Sequence, residues 1–370
     1  MKNKLKILHI ISYSSRGGAE VFVENLIKSK LSFSEVHYVH LITFSFNIEN
    51  LNLNIEKSSN FKHYHYYFPY KKLIINFIPI IIFFLKILFK NSYDIVNSHL
   101  LSPLYLFSFP LFFNKIKFIH TIHSQAEKEL GRSKLSIYYI IRKIFYTNGS
   151  VVSISESVKK SVFSLYNLNS QLIYNGTEYK NKTNKPLSDF PSNYNLILLA
   201  VGNTRKVKNY QLLINAFKKN NDNAILIILG SLVEDFKNYD IESAKKDKIY
   251  FLGHVDNPQD YMKIANFLCM TSNYEGMPIS ILEAKANGLV PIVRPVEGIL
   301  DVVKHKYNGI ISDDLSVNSY LNALKEAFQI SDNDKQNMIN NAKAEFNEIY
   351  NMKICSSNYL NHYKKLYENK

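Results

Sequence analysis

Two carboxylates carry the first chemical signal. In the stretch YEGMPISILEAKANG, Glu275 precedes a Gly-x-Pro turn and Glu283 lies in the apolar run that follows, with seven residues between them. FLCMTS just ahead reads as a strand, Pro278 suits the first turn of a helix, and Gly288 suits its end. Backbone N–H groups between Gly276 and Ser280, those of Met277 and Ile279 among them, then sit at the positive end of a helix dipole. That is a ready site for an anion such as a diphosphate. Glu283, a turn or more into the helix, is an acceptor-only carboxylate that can receive two hydroxyl hydrogen bonds, as a ribose diol would offer. Glu275, outside the helix, lies nearer the reacting end of such a ligand. The competing reading is a pair of ordinary solvated charges.

Three further stretches offer matching chemistry. In AVGNTRKVKN a strand ends at Gly202, and Arg205, Lys206 and Lys208 crowd the loop before the next helix. Arginine can grip a phosphate with two parallel bonds and lysine supplies a point charge, although most charge runs are simply solvated. In SYSSRGGAE, Gly17 and Gly18 allow a tight turn and close approach of backbone to a ligand. The spacing is not G-x-G-x-x-G, so a nicotinamide site has no support. In HTIHS, His120 and His123 stand at a strand end with His99 upstream. A histidine there can bond a sugar hydroxyl or phosphate, but strand histidines are more often structural. No metal-ligand spacing is present.

These residues need elements to hold them. Short apolar runs alternate with amphipathic helical patterns through both halves of the chain, KILHIIS, DIVNSHL and KIKFIHTIHS in the first and NLILLAVG, NAILIILG and FLCMTS in the second. That alternation predicts an α/β protein with two doubly wound, parallel, Rossmann-like domains and an intervening cleft at the strand C-terminal ends. The polar, proline-bearing stretch 178–195 marks the linker. The expected division is 1–185 for an N-terminal, acceptor-binding domain, 186–350 for a C-terminal, nucleotide-sugar-binding domain, and 351–370 for a helix returning to the N-terminal domain. The basic, apolar N-terminus reads as a first strand, not a secretion signal, because no small-residue cleavage site follows.

With 45 Lys+Arg against 31 Asp+Glu, the net charge of +14 suits an anionic partner. No nucleic-acid-binding signature accompanies it, so nucleic acid is not expected. Two isolated cysteines, Cys269 and Cys355, fit a reducing cytoplasm. The apolar segment 73–89 falls short of a membrane span and contains Asn76, Pro79 and Lys86. It reads either as a helix with one face, Phe83 and Phe84 included, available to an anionic membrane surface, or as a purely internal helix.

Taken together and in order, SRGGAEVFVENL, DIVNSHL, FIHTIHS, SISESVKKSV, IYNGTE, AVGNTRKVKNYQLLINAF and SNYEGMPISILEAKANGLVPIV resemble glycosyltransferase family 4, the retaining sugar-nucleotide transferases of GT-B fold. The E-x7-E stretch with its flanks is the specific match. The resemblance implies a nucleotide-diphosphate-sugar donor, a UDP-sugar foremost, no metal or other cofactor, and a glycan or lipid-linked acceptor in bacterial surface polysaccharide synthesis at the cytoplasmic membrane face. It implies that Arg205 and Lys208 bind the diphosphate, Glu275 and His123 the donor sugar, and Glu283 the ribose. Gly17, Gly18, Asn203 and the backbone of Gly276, Met277, Pro278 and Ile279 would line the diphosphate, and His254 and Val255 would approach the base. Asn203 stands where many members carry arginine, Glu297 occupies a usual glycine place, and Asp301 replaces a glutamate. The alternatives are a nucleotide-sugar epimerase on the same scaffold and a non-catalytic sugar- or membrane-binding protein.

Overall fold

The computed structural model describes residues 4–12, 17–31, 33–45, 55, 58–67, 73–100, 116–130, 139, 142–143, 146–147, 149–180, 196–219 and 223–368. The predicted linker lies outside them from 181 to 195, as do Lys71 and Lys72 beside the apolar segment. The chain forms two compact units, Met1–Gly176 with Met352–Lys370, and Thr177–Asn351.

The first unit is built on β1 (Leu5–Ser12), β2 (Val36–Ser45), β3 (Phe61–Tyr67), β4 (Ile95–His99), β5 (Lys117–Ile122), β6 (Ser150–Ser153) and β7 (Gln171–Leu172). Its helices are α1 (Gly18–Leu31), α2 (Leu73–Lys90), α3 (Ala126–Leu130), α4 (Glu156–Tyr166) and, from the chain's far end, α11 (Met352–Glu368). All strands are parallel in the order β3-β2-β1-β4-β5-β6-β7. The order reverses between β1 and β4, the position at which open α/β sheets present ligand sites. Ile7, Leu8, Ile10, Ile95, Val96, Ile119 and Val152 are fully buried, as continuous β-branched and leucine runs require in a sheet covered on both faces. Ser155 caps α4 by accepting from Val158 N. α11 is bonded to the sheet through polar side chains: Asn97 Nδ2 donates to Tyr363 Oη at 2.7 Å, and Tyr359 Oη lies 3.4 Å from Thr121 Oγ1.

α2 is apolar on both its buried and its exposed sides. Ile80, Phe84 and Ile87 are buried, whereas Ile78, Ile82 and Phe89 are exposed, Phe89 by 81%. The helix is therefore not purely internal. Its exposed apolar stripe runs through 78, 82 and 89 with Lys86 and Lys90 beside it, and Phe84, expected on that stripe, belongs to the core. Among the described residues no helix is long and apolar enough to cross a membrane.

The second unit holds β8 (Leu196–Val201), β9 (Ala224–Leu229), β10 (Ile249–Gly253), β11 (Phe267–Met270), β12 (Val290–Val293) and β13 (Ile310–Ile311). They form a parallel sheet in the order β10-β9-β8-β11-β12-β13, reversing between β8 and β11. Its helices are α5 (Tyr210–Lys218), α6 (Ile241–Lys246), α7 (Pro258–Ile264), α8 (Ile279–Asn287), α9 (Val317–Gln329) and α10 (Asp332–Glu345). The core joins Leu198, Leu213, Leu226, Ile228, Phe267, Ile292 and Tyr320. Lys285 anchors α8 from inside: fully buried, it pairs with Glu345 on α10 and lies over the Tyr350 ring. Both cysteines are buried, and neither is in a disulfide.

Candidate active site

β8 and β11 are neighbours, so the loops leaving their C-terminal ends meet although 67 residues separate them. After β8, Lys208 extends to the turn after β11, and its Nζ lies 2.7 Å from Glu275 Oε1. Ser272 Oγ donates to the same oxygen at 2.6 Å. The predicted phosphate cation and the predicted sugar carboxylate thus form one ion pair, each side chain mostly withdrawn from solvent. The two loops are laced further by Thr271 Oγ1, which donates to the Lys208 and Asn209 carbonyls, and by Asn273 N, which donates to the Val207 carbonyl.

Beneath the β11 turn sits Arg294, buried at the end of β12. It donates to the carbonyls of Thr271 and Ser272, to Asn273 Oδ1 and to the Leu315 carbonyl. A rigid fork with several donors suits this clamp better than a lysine would. Gly298 supports the next residues: at φ +80°, a side chain there would lie 2.4 Å from the Glu275 carbonyl and 2.5 Å from that of Gly276. Gly298→Ala is expected to push the turn outward, lowering transfer about tenfold or more for an ångström-scale shift of Glu275. Steady-state kinetics beside a thermal melt tests this; wild-type kinetics would mean that the turn absorbs the methyl.

Glu275 leads into Gly276, Met277 and Pro278, all buried, and then into α8. The N-terminal residue of this helix differs from those of α4, α9 and α10, which are capped by Ser155, Ser316 and Ser331. Pro278 makes no side-chain cap bond. The N–H groups of Ile279 and Ser280 open the helix and have no partner in its own ladder, as at any helix start.

Glu283 lies farther along α8. Part of its side chain meets solvent, but its carboxyl is enclosed, and burial raises it to about 7, against the opposing pull of Lys180 and a hydrogen bond from Gln259. Gln259 is itself fixed: its Nε2 donates to the Glu178 carbonyl, and its Oε1 accepts from Lys180 N and Asn287 Nδ2. A carboxyl held near neutrality in this way can gain hydrogen bonds and ionise when a ligand brings donors to it.

The β8, β9 and β10 ends form one ledge beside Lys208. Gly202 N donates to the Leu229 carbonyl and Gly230 N to that of Gly253. A side chain at Gly230 would lie 2.2 Å from the Gly202 carbonyl oxygen, so the two backbones can approach this closely only with glycine there. Arg205 is exposed on this ledge. Asn203 turns its Oδ1 to accept from Ser231 N at 3.0 Å, so its side chain ties the ledge together. Lys206 pairs with Asp235, away from Glu275. His254, exposed, and Val255 follow the ledge at Gly253. The burial of Tyr210, which donates to the Gly202 carbonyl at 2.9 Å, raises its phenol well above the ordinary range and keeps it a donor.

The first unit carries the remaining predicted residues. Gly17 precedes α1 and its carbonyl accepts from Val21 N at 3.1 Å; Gly18 is exposed as the first helical residue. His123 follows β5, with Nε2 3.0 Å from His99 Nδ1 and its ring edge-on to Phe22. Burial lowers its pKa to about 4, so the imidazole is neutral near pH 7. Ser272, Gln259, Arg294 and Gly298 were not legible as site residues. Gln259, Arg294 and Gly298 act through partners distant in sequence, and Ser272 through Glu275 three residues on, a contact that depends on the conformation of the turn.

Comparison with known proteins gives the same arrangement a context. The profile described as "Glycosyl transferases group 1" matches residues 182–345, and that described as "Glycosyltransferase Family 4" matches residues 16–180. The capsular polysaccharide biosynthesis glycosyltransferase CapH of Staphylococcus aureus is 25% identical over 94% of this chain and 98% of its own. The UDP-Gal:α-D-GlcNAc-diphosphoundecaprenol α-1,3-galactosyltransferase of Escherichia coli is 25% identical over 65% of this chain and 67% of its own. Among solved structures, Anabaena HepE in complex with UDP and glucose superposes with a TM-score of 0.76 at 14% identity, covering 97% of this chain and 100% of that one.

Proposed function

We propose that this chain, which belongs to the family 4 glycosyltransferases of GT-B fold, transfers a hexose or N-acetylhexosamine from a nucleotide-diphosphate-sugar with retention of anomeric configuration. A UDP-sugar is the foremost donor, in keeping with the UDP bound by HepE. The acceptor is a growing surface glycan, lipid-linked as in the E. coli relative or capsular as the name of the S. aureus relative has it. The observation that carries the reading is the Lys208–Glu275 pair set ahead of an α8 start without a side-chain cap, with Glu283 on the same helix.

On this reading the donor diphosphate meets the N–H groups of Ile279 and Ser280 together with Lys208 and Arg205. Their charge stabilises the oxygen that departs, the electrostatic contribution expected to dominate. Glu283 accepts the ribose hydroxyls. Glu275, its charge balanced by Lys208, accepts from sugar hydroxyls and faces the positive charge that develops at the anomeric carbon. The acceptor hydroxyl attacks that carbon on the face the diphosphate leaves: the new C–O bond forms, the bond to the phosphate oxygen breaks, and the hydroxyl proton passes to that oxygen. No carboxylate nucleophile is needed, in contrast to the double displacement of retaining glycosidases. The chain's own cations carry the charge, and the proposal needs no metal.

A panel of nucleotide-sugars in a thermal-shift assay tests the donor class, since a ligand at a hundred times its Kd adds about 2.7 kcal/mol to stability. NMR of the product then reads the anomeric configuration. Stabilisation by no nucleotide-sugar overturns the donor assignment, and an inverted product overturns retention.

The exposed stripe of α2 suits an anionic membrane surface, where apolar side chains enter the headgroup region and lysines meet lipid charge. On this reading the chain works at the cytoplasmic face of the membrane that holds its acceptor. Ile82→Ser with Phe89→Ser is expected to release the protein from phosphatidylglycerol vesicles in sedimentation while its melting temperature holds. Equal sedimentation of variant and parent would remove the membrane contact.

A further inference from the structure

The first unit contains a row of three histidines. His9 lies within β1, His99 ends β4 and His123 follows β5. His9 Nδ1 lies 2.9 Å from His99 Nε2, and His99 Nδ1 lies 3.0 Å from His123 Nε2. His9 and His99 are both fully buried, and their rings stack at 5.2 Å with 22° between planes. Phe22 closes the row from the side, edge-on to His99 and His123. The row stands where the strand order reverses, between β1 and β4.

A neutral imidazole has one N–H and one bare nitrogen. His99 turns both nitrogens toward histidines, so with all three rings neutral it donates at one end and accepts at the other. Its neighbours are then fixed. If His99 Nε2–H donates to His9, its Nδ1 accepts from His123 Nε2–H, and His123 Nδ1 is bare. If instead His9 Nδ1–H donates to His99, then His99 Nδ1–H donates to His123, and the His123 proton sits on Nδ1. The three rings have only these two collective states. Passage between them moves one proton per link, takes up one at His123 Nδ1 and releases one at His9 Nε2, with no net charge left on the row.

We propose that His9 and His99 are positioning residues for the transfer reaction: they hold the ring plane of His123 and select, as one hydrogen-bonded row, whether its Nδ1 donates or accepts toward a ligand at the C-terminal end of β5. The role assigned to His123 rests on the transferase reading above, but the row itself does not. A bridging histidine that uses both nitrogens is a stricter device than a single backbone partner, because a change at His9 must reach His123 across two bonds.

The test reads ligand-free protein labelled with ¹⁵N-histidine. In the parent, His123 is expected to show the nitrogen shifts of a single tautomer, and couplings across both N–H···N bonds should be observable. His9→Phe keeps ring volume and removes the Nδ1 partner. It is expected to give averaged His123 shifts and a kcat reduced about tenfold to a hundredfold, the range found when a metal-ligating side chain loses the partner that orients it, with donor KM unchanged. His9→Asn, whose carboxamide reaches the place of Nδ1, should restore a single tautomer and much of kcat. A His123 spectrum unmoved by His9→Phe overturns the proposal. If that variant does not fold, the parent decides alone: absent couplings or an averaged His123 also overturn it. A locked tautomer in a protein that transfers from no nucleotide-sugar would sink the functional reading and leave the row intact.

Discussion

Lys208→Ala is expected to lower the rate of sugar transfer by about 10²–10³, the loss typical when one preorganised stabiliser of a developing anion is removed. Two effects act together. The departing diphosphate loses the cation nearest the turn, and Glu275, which shares that cation at 2.7 Å, keeps only the Ser272 hydroxyl among its side-chain partners named above. The uncompensated carboxylate then repels the diphosphate. A double-mutant cycle with Glu275→Gln separates the contributions, and coupling between the two positions of at least about 0.5 kcal/mol is expected for residues in direct contact. Single-turnover measurements on folded variants provide the rates. Unchanged turnover in Lys208→Ala would remove this lysine from the diphosphate site. Lys208→Arg is not expected to rescue fully, since a planar guanidinium does not reproduce the compact point charge that the ammonium places against Glu275.

Glu283→Gln is expected to have opposite effects on stability and on binding. The Glu283 carboxyl is held at about 7 instead of its ordinary 4.5, chiefly by burial. Between those values the folded chain keeps a proton that the unfolded chain has lost. Stability therefore falls as pH rises from about 4.5 to about 7, then levels off. The neutral amide removes that dependence, so above pH 7 the variant should be more stable than the parent by on the order of 2 kcal/mol, allowing for the water that reaches part of the side chain. Donor affinity moves the other way, weaker by roughly 1–3 kcal/mol when hydrogen bonds to a charged acceptor are lost. In the parent, donor binding should strengthen with rising pH until Glu283 is ionised and should release no proton above that range. Melting curves and calorimetry between pH 5 and pH 8 read both effects. A variant less stable than the parent at pH 8 would contradict the buried-carboxyl account, and unaltered donor affinity would contradict the ribose role.

Most elements were legible because each obeys a local rule. The apolar runs of β8, β9 and β11 are too short for helices and are bounded by polar turns, and Ser155 announces α4 from one residue. The site was legible at Glu275, Glu283 and the basic loop because turn, helix start and charge lie within one stretch. Their union was not. Strand order decides that β8 adjoins β11, and no local pattern encodes the register in which Leu198 meets Phe267. His9 escaped notice for a related reason: inside KILHIIS it reads as one polar break in a buried strand, and only the adjacency of β1 to β4 gives it a partner. Arg294 resembles a residue in a strand-end turn until the Thr271–Asn273 carbonyls close around it.

The return of α11 to the first unit has a consequence in time. A ribosome emits the seven strands of that unit first, yet Tyr359 and Tyr363, which partner the fully buried Thr121 and Asn97, emerge only after all of Thr177–Asn351. At roughly 5–20 residues per second, that interval is on the order of ten to forty seconds. For its duration the nascent first sheet lacks the tyrosine partners of Asn97 and Thr121 that α11 supplies. The first unit, begun earliest, is therefore completed last, by the segment Met352–Glu368 that follows the whole of the second.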